Sequence, residues 1–344
     1  MPRAHTLTTG QGGVPVKRTI AAAWLLLLFL FMLPVLLIRG EPVAEQGGKE
    51  PLLLPLQQNV AQGGRDAGRQ VALLREDGGV ERMTLADYLW GVVAAEMPAS
   101  FEGEALKAQA VAARTYWAVL VGTSRHNGAD ICADSGCCQA YIDREKAAGN
   151  WGEKGADYAA RIARAVAQTD GLCVSYEGKP IQAVFFSCAP GSTVDAQAVW
   201  GQAVPYLVSV TSPEGEEVPN YRSQLTMTTA EFCALVKEQY PNADFSGPVS
   251  GWIGDFVWEP SGVVNKVTVG GIRLTGGQVR KLLGLRSACF GVSVSGEKIT
   301  FHVTGYGHGV GMSQYGANAM ARQGKNFEEI LTWYYTGTQV LPLP

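Results

Sequence analysis

This 344-residue chain is short of charge, and its charge is not basic: 28 Lys and Arg stand against 31 Asp and Glu, a formal net charge of −3. A chain with no basic excess is a poor match for nucleic acid, so no nucleic-acid partner is expected. Its 42 glycines follow no period, which excludes a collagen-like or solenoid repeat. Acidic residues are missing altogether from positions 1–19, where Arg3, Lys17 and Arg18 contribute +3 and leave the rest of the chain near −6.

An apolar run comes directly after that basic tail. Residues 20–38 are nineteen positions without a charge. As a helix rising about 1.5 Å per residue they reach roughly 28 Å, enough for the hydrocarbon core of a bilayer. Positive charge stays on the cytoplasmic side, so 1–19 reads as a cytoplasmic tail and everything after Arg39 as extracytoplasmic. The alternative is a cleaved signal peptide, whose apolar core usually spans about 7–15 residues. The run is longer, and no small-x-small cleavage site follows Pro34. The expectation is a single-pass protein of the cell membrane. Residues 39–68 mix Pro, Gly and Gln around one short apolar patch and read as a linker. Residues 69–344 remain for the working part, long enough for one large domain or two intimate lobes.

Within that part, 70–74 and 80–83 flank Asp77-Gly78-Gly79 as a hairpin. Thr84 is placed to cap a helix carrying Leu85, Tyr88, Leu89, Val92 and Val93 at helical spacing, stopped by Pro98. An alanine-rich helix is expected over 103–120, and another over 157–169. Residues 172–176 and 181–187 suggest a second hairpin, and 205–212 a strand. Residues 263–304 look strand-rich around a helix at 277–283. Helices close the chain at 313–322 and 326–335. Helices and strands that do not alternate regularly predict an α+β fold of mixed helices and antiparallel strands.

Glu96 extends the apolar series of the first helix by one more interval. A carboxyl on that face would be partly desolvated, its pKa raised as a general acid at neutral pH requires. A glutamate fraying into solvent at the helix end fits the spacing equally well. Lys107 and Arg114, seven apart, share one face of the next helix. That face could meet a substrate, although a solvated face is the commoner use of such cations.

His126, Cys132, Cys137 and Cys138 fall within thirteen residues of a polar, turn-rich loop. They match the Cys₃His set of closed zinc sites, which leave no position for an activated water, so the metal expected is one structural zinc ion. A disulfide is the rival reading for an outward-facing loop. Three cysteines cannot all pair with one another, and a disulfide would leave His126 idle. Cys233 and Cys289 read as small buried hydrophobes. The densest motif runs from Gly305 to Gly316, GYGHGVGMSQYG. It lacks the lysine of a Walker loop and the GxGxxG spacing. His308, Gln314 and Tyr315 instead offer hydrogen-bonding and stacking groups for a polar, sugar-like ligand.

These segments resemble the stage II sporulation protein D family, which also includes amidase enhancers. The resemblance rests on YLWGVVAAEMPASFEGEALKAQAVAARTYW (88–117), VWGQAVPYL (199–207), LLGLRSACF (282–290) and GYGHGVGMSQYGANAMA (305–321). It implies a lytic transglycosylase that cleaves MurNAc–GlcNAc bonds of peptide-stripped peptidoglycan glycan strands, leaving 1,6-anhydro ends. It further implies action in septal wall degradation and engulfment during sporulation. By the same resemblance Glu96 before Met-Pro is the catalytic acid, and Lys107, Arg114 and Tyr206 are substrate-binding. His126, Cys132, Cys137 and Cys138 match a zinc loop whose third ligand can be His in relatives. Cys188-Ala189-Pro190-Gly191 departs from the Ser-Gly-Gly common in relatives. Implied partners are a cell-wall amidase like stage II sporulation protein P and a membrane scaffold like stage II sporulation protein M. A non-catalytic peptidoglycan-binding amidase enhancer is the alternative, and a zinc hydrolase a weaker third.

Overall fold

Thr84 ends one element and begins the next. It is the last residue of the strand Val80–Thr84, which pairs antiparallel with Gln70–Leu74, and its hydroxyl accepts the Asp87 N–H at 3.1 Å to cap helix α1, Leu85–Glu96. The computed structural model describes residues 63–123 and 125–344. The expected tail 1–19, the expected membrane helix 20–38 and most of the expected linker lie outside the described residues. Among the described residues no helix is long and apolar enough to cross a membrane.

Helix α1 ends because Met97, preceding Pro98, is forced into an extended conformation (φ −128°, ψ 136°). Helix α2, Gly103–Leu120, is the centre of the main lobe, with twelve of its residues buried. Alanines at 105, 108, 110, 112 and 113 keep its surface low, so neighbours approach closely from every side. Those neighbours are α1, the strand Leu172–Tyr176, and three helices: α4 (Gly155–Gln168, after α3, Arg144–Trp151), α8 (Gln314–Arg322) and α9 (Phe327–Tyr334). Between α4 and α8 lie the short α5, Ala196–Trp200, and two helices of a second lobe, α6 (Thr229–Gln239) and α7 (Gly276–Leu283).

The second lobe is an insertion with its own core, built around Phe232, Val267, Phe290, Ile299 and Phe301. Two antiparallel three-stranded sheets form it. One orders Phe290–Ser295, Lys298–Thr304 and Arg222–Thr228; the other orders Ile272–Thr275, Val264–Val269 and Ile253–Trp258. The fold is thus α+β, in two lobes.

Two expectations shift. The second hairpin is short: Tyr176 faces Lys179 across Glu177 and Gly178, both at positive φ, but pairing ends at Pro180. Phe185–Phe186 instead pairs parallel with Met312–Ser313, because the chain turns away to line a cleft. Residues 205–212 form no strand; an isolated bridge joins Thr211 to Ser192, and single hydrogen bonds such as Thr193 N–H to the Val210 carbonyl at 2.8 Å hold the rest of the segment. At the end of the expected linker, residues 65 and 66 are tied to the domain. The Arg65 and Asp66 N–H groups donate to the Asp170 carboxylate at 2.7 and 2.9 Å.

Asp66 is fully buried, and so is its partner Arg114 on α2. The guanidinium donates from Nη2 to Asp66 Oδ2 at 2.6 Å and from Nε to Oδ1 at 3.0 Å, while Nη1 takes the Leu172 carbonyl at 3.1 Å. Removing one member leaves the other charge unpaired and out of water. Asp66→Ala should therefore lower stability by about 3–5 kcal/mol. Urea unfolding of the full-length protein measures this, and a loss below about 1 kcal/mol, the range of an exposed pair, would show the pair to be dispensable.

Candidate active site

A cleft of about 710 Å³ opens beside Glu96. Its walls come from separate stretches of chain: the end of α1, the loop 135–140, the segment 182–187, Trp200, Arg280 of α7, and the glycine-rich run 306–308 with Gln314. Glu96 is the one Asp or Glu among the lining residues. Its carboxylate accepts the Ala140 N–H at 2.6 Å and a hydrogen bond from the Gln314 side chain. Burial pushes the Glu96 carboxyl above its ordinary range, and these two bonds pull only part of the way back. The loop behind it is pinned on both sides. Arg161 donates to the Ala99 and Phe101 carbonyls at 3.0 and 2.5 Å, and Asn318 accepts the Glu102 N–H at 2.8 Å.

The Cys/His loop adjoins this carboxylate. Ligand atoms of His126, Cys132, Cys137 and Cys138 all lie within 4.8 Å of one another. Cys132 sits in Ile131–Cys132, which pairs parallel with the first strand, so that ligand is set by a sheet. The other two thiols are gathered by a turn at Asp134, whose carbonyl accepts the Cys137 and Cys138 N–H groups at 3.1 and 2.7 Å. Adjacent cysteines can therefore face one point. His126 Nε2 lies 3.2 Å from Cys138 Sγ. All seven cysteines are free, so no disulfide competes for these thiols. Such a donor set could hold a tetrahedral divalent ion.

His308 is in the wall, but both its nitrogens are engaged. Nδ1 accepts the Val310 N–H at 3.2 Å, which leaves the proton on Nε2 to donate to the Phe185 carbonyl at 3.0 Å. The ring sits between Phe186 and Trp200, and burial lowers its pKa to about 4. It shapes the cleft as a neutral imidazole and has no atom spare for a sugar. Gly307, at φ 120°, lets the chain pass Phe186, whose Cβ would stand 2.6 Å from a Cβ placed there.

Other residues expected to touch substrate lie elsewhere. Arg114 is consumed by Asp66. Lys107 donates to Glu104 at 2.6 Å and leans toward the Phe327 ring, outside the cleft. Tyr315 packs edge-on against Phe101 at 4.9 Å. Tyr206 tilts against Tyr176, its hydroxyl accepting the Gln182 N–H at 3.2 Å, so it supports the cleft wall from behind. None of these four residues is in the cleft lining, since helical spacing and motif membership do not say which way a side chain points. In turn, sequence patterns did not single out Trp200, Tyr306, Arg125 and Arg280, all in the lining. Trp200 and Tyr306 lie inside the family motifs, which was a usable signal. Arg280, in the last turn of a helix, carried no distinguishing signal.

An α+β domain with a lone, half-buried glutamate in an open cleft beside a cysteine–histidine cluster defines the class of protein. Comparison with known proteins makes it particular. The family described as "Stage II sporulation protein" matches residues 76–176. Stage II sporulation protein D of Bacillus amyloliquefaciens is 40% identical over 264 residues, covering 76% of this chain and 75% of that protein. Its Bacillus subtilis counterpart is 39% identical over the same shares. An amidase enhancer of Bacillus subtilis is 29% identical, covering 73% of this chain and 40% of the relative. The chain belongs to the stage II sporulation protein D family.

The depressed pKa of His308 predicts a pH signature. The unfolded ring titrates near 6.5 and the folded one near 4, so between these values the unfolded state binds more protons. Stability is complete above 6.5 and falls as pH drops toward 4, by up to roughly 3 kcal/mol, and by less in proportion to the water reaching the ring. His308→Gln keeps one donor and one acceptor without titrating. Unfolding free energies at pH 4.5 and 7 should differ less in that variant than in the wild type. An equal difference in both would mean the ring is not buried neutral.

Proposed function

We propose that this chain is a peptidoglycan lytic transglycosylase acting on glycan strands stripped of their stem peptides. The observation that carries the reading is that Glu96 is the single carboxyl group among the cleft's described lining residues, with its pKa raised by burial. Ordinary glycosidases use two carboxyl groups, one of them to activate water or attack the sugar. A transglycosylase needs one, used twice. The protonated Glu96 gives its proton to the glycosidic oxygen as the C1–O bond breaks. The resulting carboxylate then takes the proton of the C6 hydroxyl, whose oxygen attacks C1 and closes the 1,6-anhydro ring. No water is consumed and the glutamate ends protonated again. The Ala140 N–H and the Gln314 side chain steady the carboxylate between the two steps. Trp200 and Tyr306, 47% and 43% exposed in the lining, offer ring faces on which sugars can stack.

His126, Cys132, Cys137 and Cys138 would hold a structural zinc ion. Four protein ligands close its shell, so the chemistry it supplies is cross-linking of the loop, not activation of water. That loop continues directly through Gln139 to Ala140. Tyr88 Oη donates to Gln139 Oε1 at 3.1 Å, tying the same loop to α1. The proposal includes the anchor at 20–38, on hydropathy and charge, with the cleft on the wall side of the membrane. It also includes work in septal wall degradation and engulfment beside an amidase that prepares the substrate.

The deciding assay is digestion of peptide-free glycan strands by the full-length protein, with mass analysis of the ends. Anhydro-ended products should form and should fall about 10²–10⁴-fold in Glu96→Gln. A wild type that yields none would favour the enhancer reading, for which the amidase-enhancer relative speaks. Cys138→Ser should chiefly lower the melting temperature of protein prepared with zinc. Unchanged melting together with lost cleavage would show that the cluster serves chemistry instead of stability.

A further inference from the structure

Arg280 is the least explained charged group in the cleft. It lies half-buried in the last turn of α7, on the inserted lobe, and lines the same cleft as Glu96. Its Nε donates to the Leu285 and Arg286 carbonyls, both at 3.2 Å. The Arg286 carbonyl also accepts the Gly307 N–H at 2.9 Å, so this anchor ties the guanidinium to the glycine-rich run. Nε is thus spoken for and the plane of the group is set. Neither Nη has a hydrogen-bond partner among the described residues, and no carboxylate there lies within 4.0 Å of it. Glu259, which shares a small neighbouring recess with Arg280, is bonded to Asn265. Burial lowers the Arg280 pKa, as for a cation without a counter-charge.

The described lining offers Arg280 no carboxylate other than Glu96. Arg125 is a second cation in the lining, where it donates to the Cys137 carbonyl at 2.9 Å, and Glu96, in the protonated form the mechanism starts from, adds no negative charge. A planar fork with two free Nη groups is the geometry that takes a carboxylate bidentately.

We infer that Arg280 is a specificity-determining residue that receives the lactyl carboxylate of a muramic acid unit in the cleft. This rests on the glycan-cleaving reading above and adds the basis of substrate selection. In an intact wall that carboxyl is an amide, joined to the first residue of the stem peptide. Removing the peptide by hydrolysis restores a carboxylate at that atom. The inserted lobe thus supplies a group that distinguishes a stripped strand from a peptide-bearing one by charge as well as by bulk. The amide presents no negative charge and only one good acceptor oxygen to the same fork.

Binding, not cleavage, tests this. The full-length Glu96→Gln protein is titrated with a GlcNAc–MurNAc tetrasaccharide bearing free lactyl carboxylates, and with the same sugar bearing lactyl methylamides. The acid should bind about 10- to 100-fold more tightly. Adding Arg280→Met should bring acid affinity down to that of the amide and leave amide affinity unchanged. Arg280→Lys, which retains the charge but not the fork, should hold an intermediate preference. If Arg280→Met fails to fold because its Nε anchors are lost, the Lys variant and the acid-versus-amide comparison in the parent decide the matter. Equal binding of the two sugars, no binding of either, or a preference that survives at Arg280→Met or is undiminished in Arg280→Lys overturns the assignment. Absence of anhydro products with this preference intact would overturn the transglycosylase reading alone.

Discussion

The Glu96 carboxylate ends a buried helix, and keeping it partly out of water requires three distant stretches of chain to meet around it. Helix α1 brings it to the edge of the core and stops there because Pro98 forbids another turn. Ala140 arrives from the loop of the cysteine–histidine cluster, and Gln314 from the first position of α8. Each gives a hydrogen bond to a group that burial would otherwise hold firmly neutral. The balance leaves an acid that is raised yet able to carry charge.

Much of the remaining architecture serves that meeting point. The alanine-rich surface of α2 lets α1 and α8 close on it from two sides, so residues 96 and 314 become neighbours. The buried Arg114–Asp66 pair fastens the start of the domain to the same helix. Arg114 is therefore used far from solvent, where a lone guanidinium would be prohibitive and a paired one is tolerable. The inserted lobe contributes little to the main core, yet it sends Arg280 into the cleft wall.

The stage II sporulation protein D relatives fix the family, while the 29% identical relative is named for a different role, amidase enhancement. What favours catalysis here is chemical: one perturbed carboxyl, ring faces exposed beside it, and no second acid in the lining. The cysteine–histidine cluster fits a supporting task, since all its ligands come from the protein and its loop runs into Ala140.

Several things were decided by the sequence alone. The capped start of α1, its stop at Pro98, the span of α2 and the gathering of four soft ligands in one loop all follow from local rules of spacing, capping and side-chain chemistry. Glu96 on an apolar face was legible for the same reason, although helical spacing left its solvent exposure open. Tertiary structure decided the rest. It withdrew Arg114 into an ion pair, left Tyr315 and Tyr206 outside the cleft lining, and occupied both nitrogens of His308. It also brought Arg280 across from an inserted lobe. These outcomes depend on contacts between residues far apart in the chain, such as Glu96 with Gln314. Periodicity within an element says which face is apolar, but not what that face will meet.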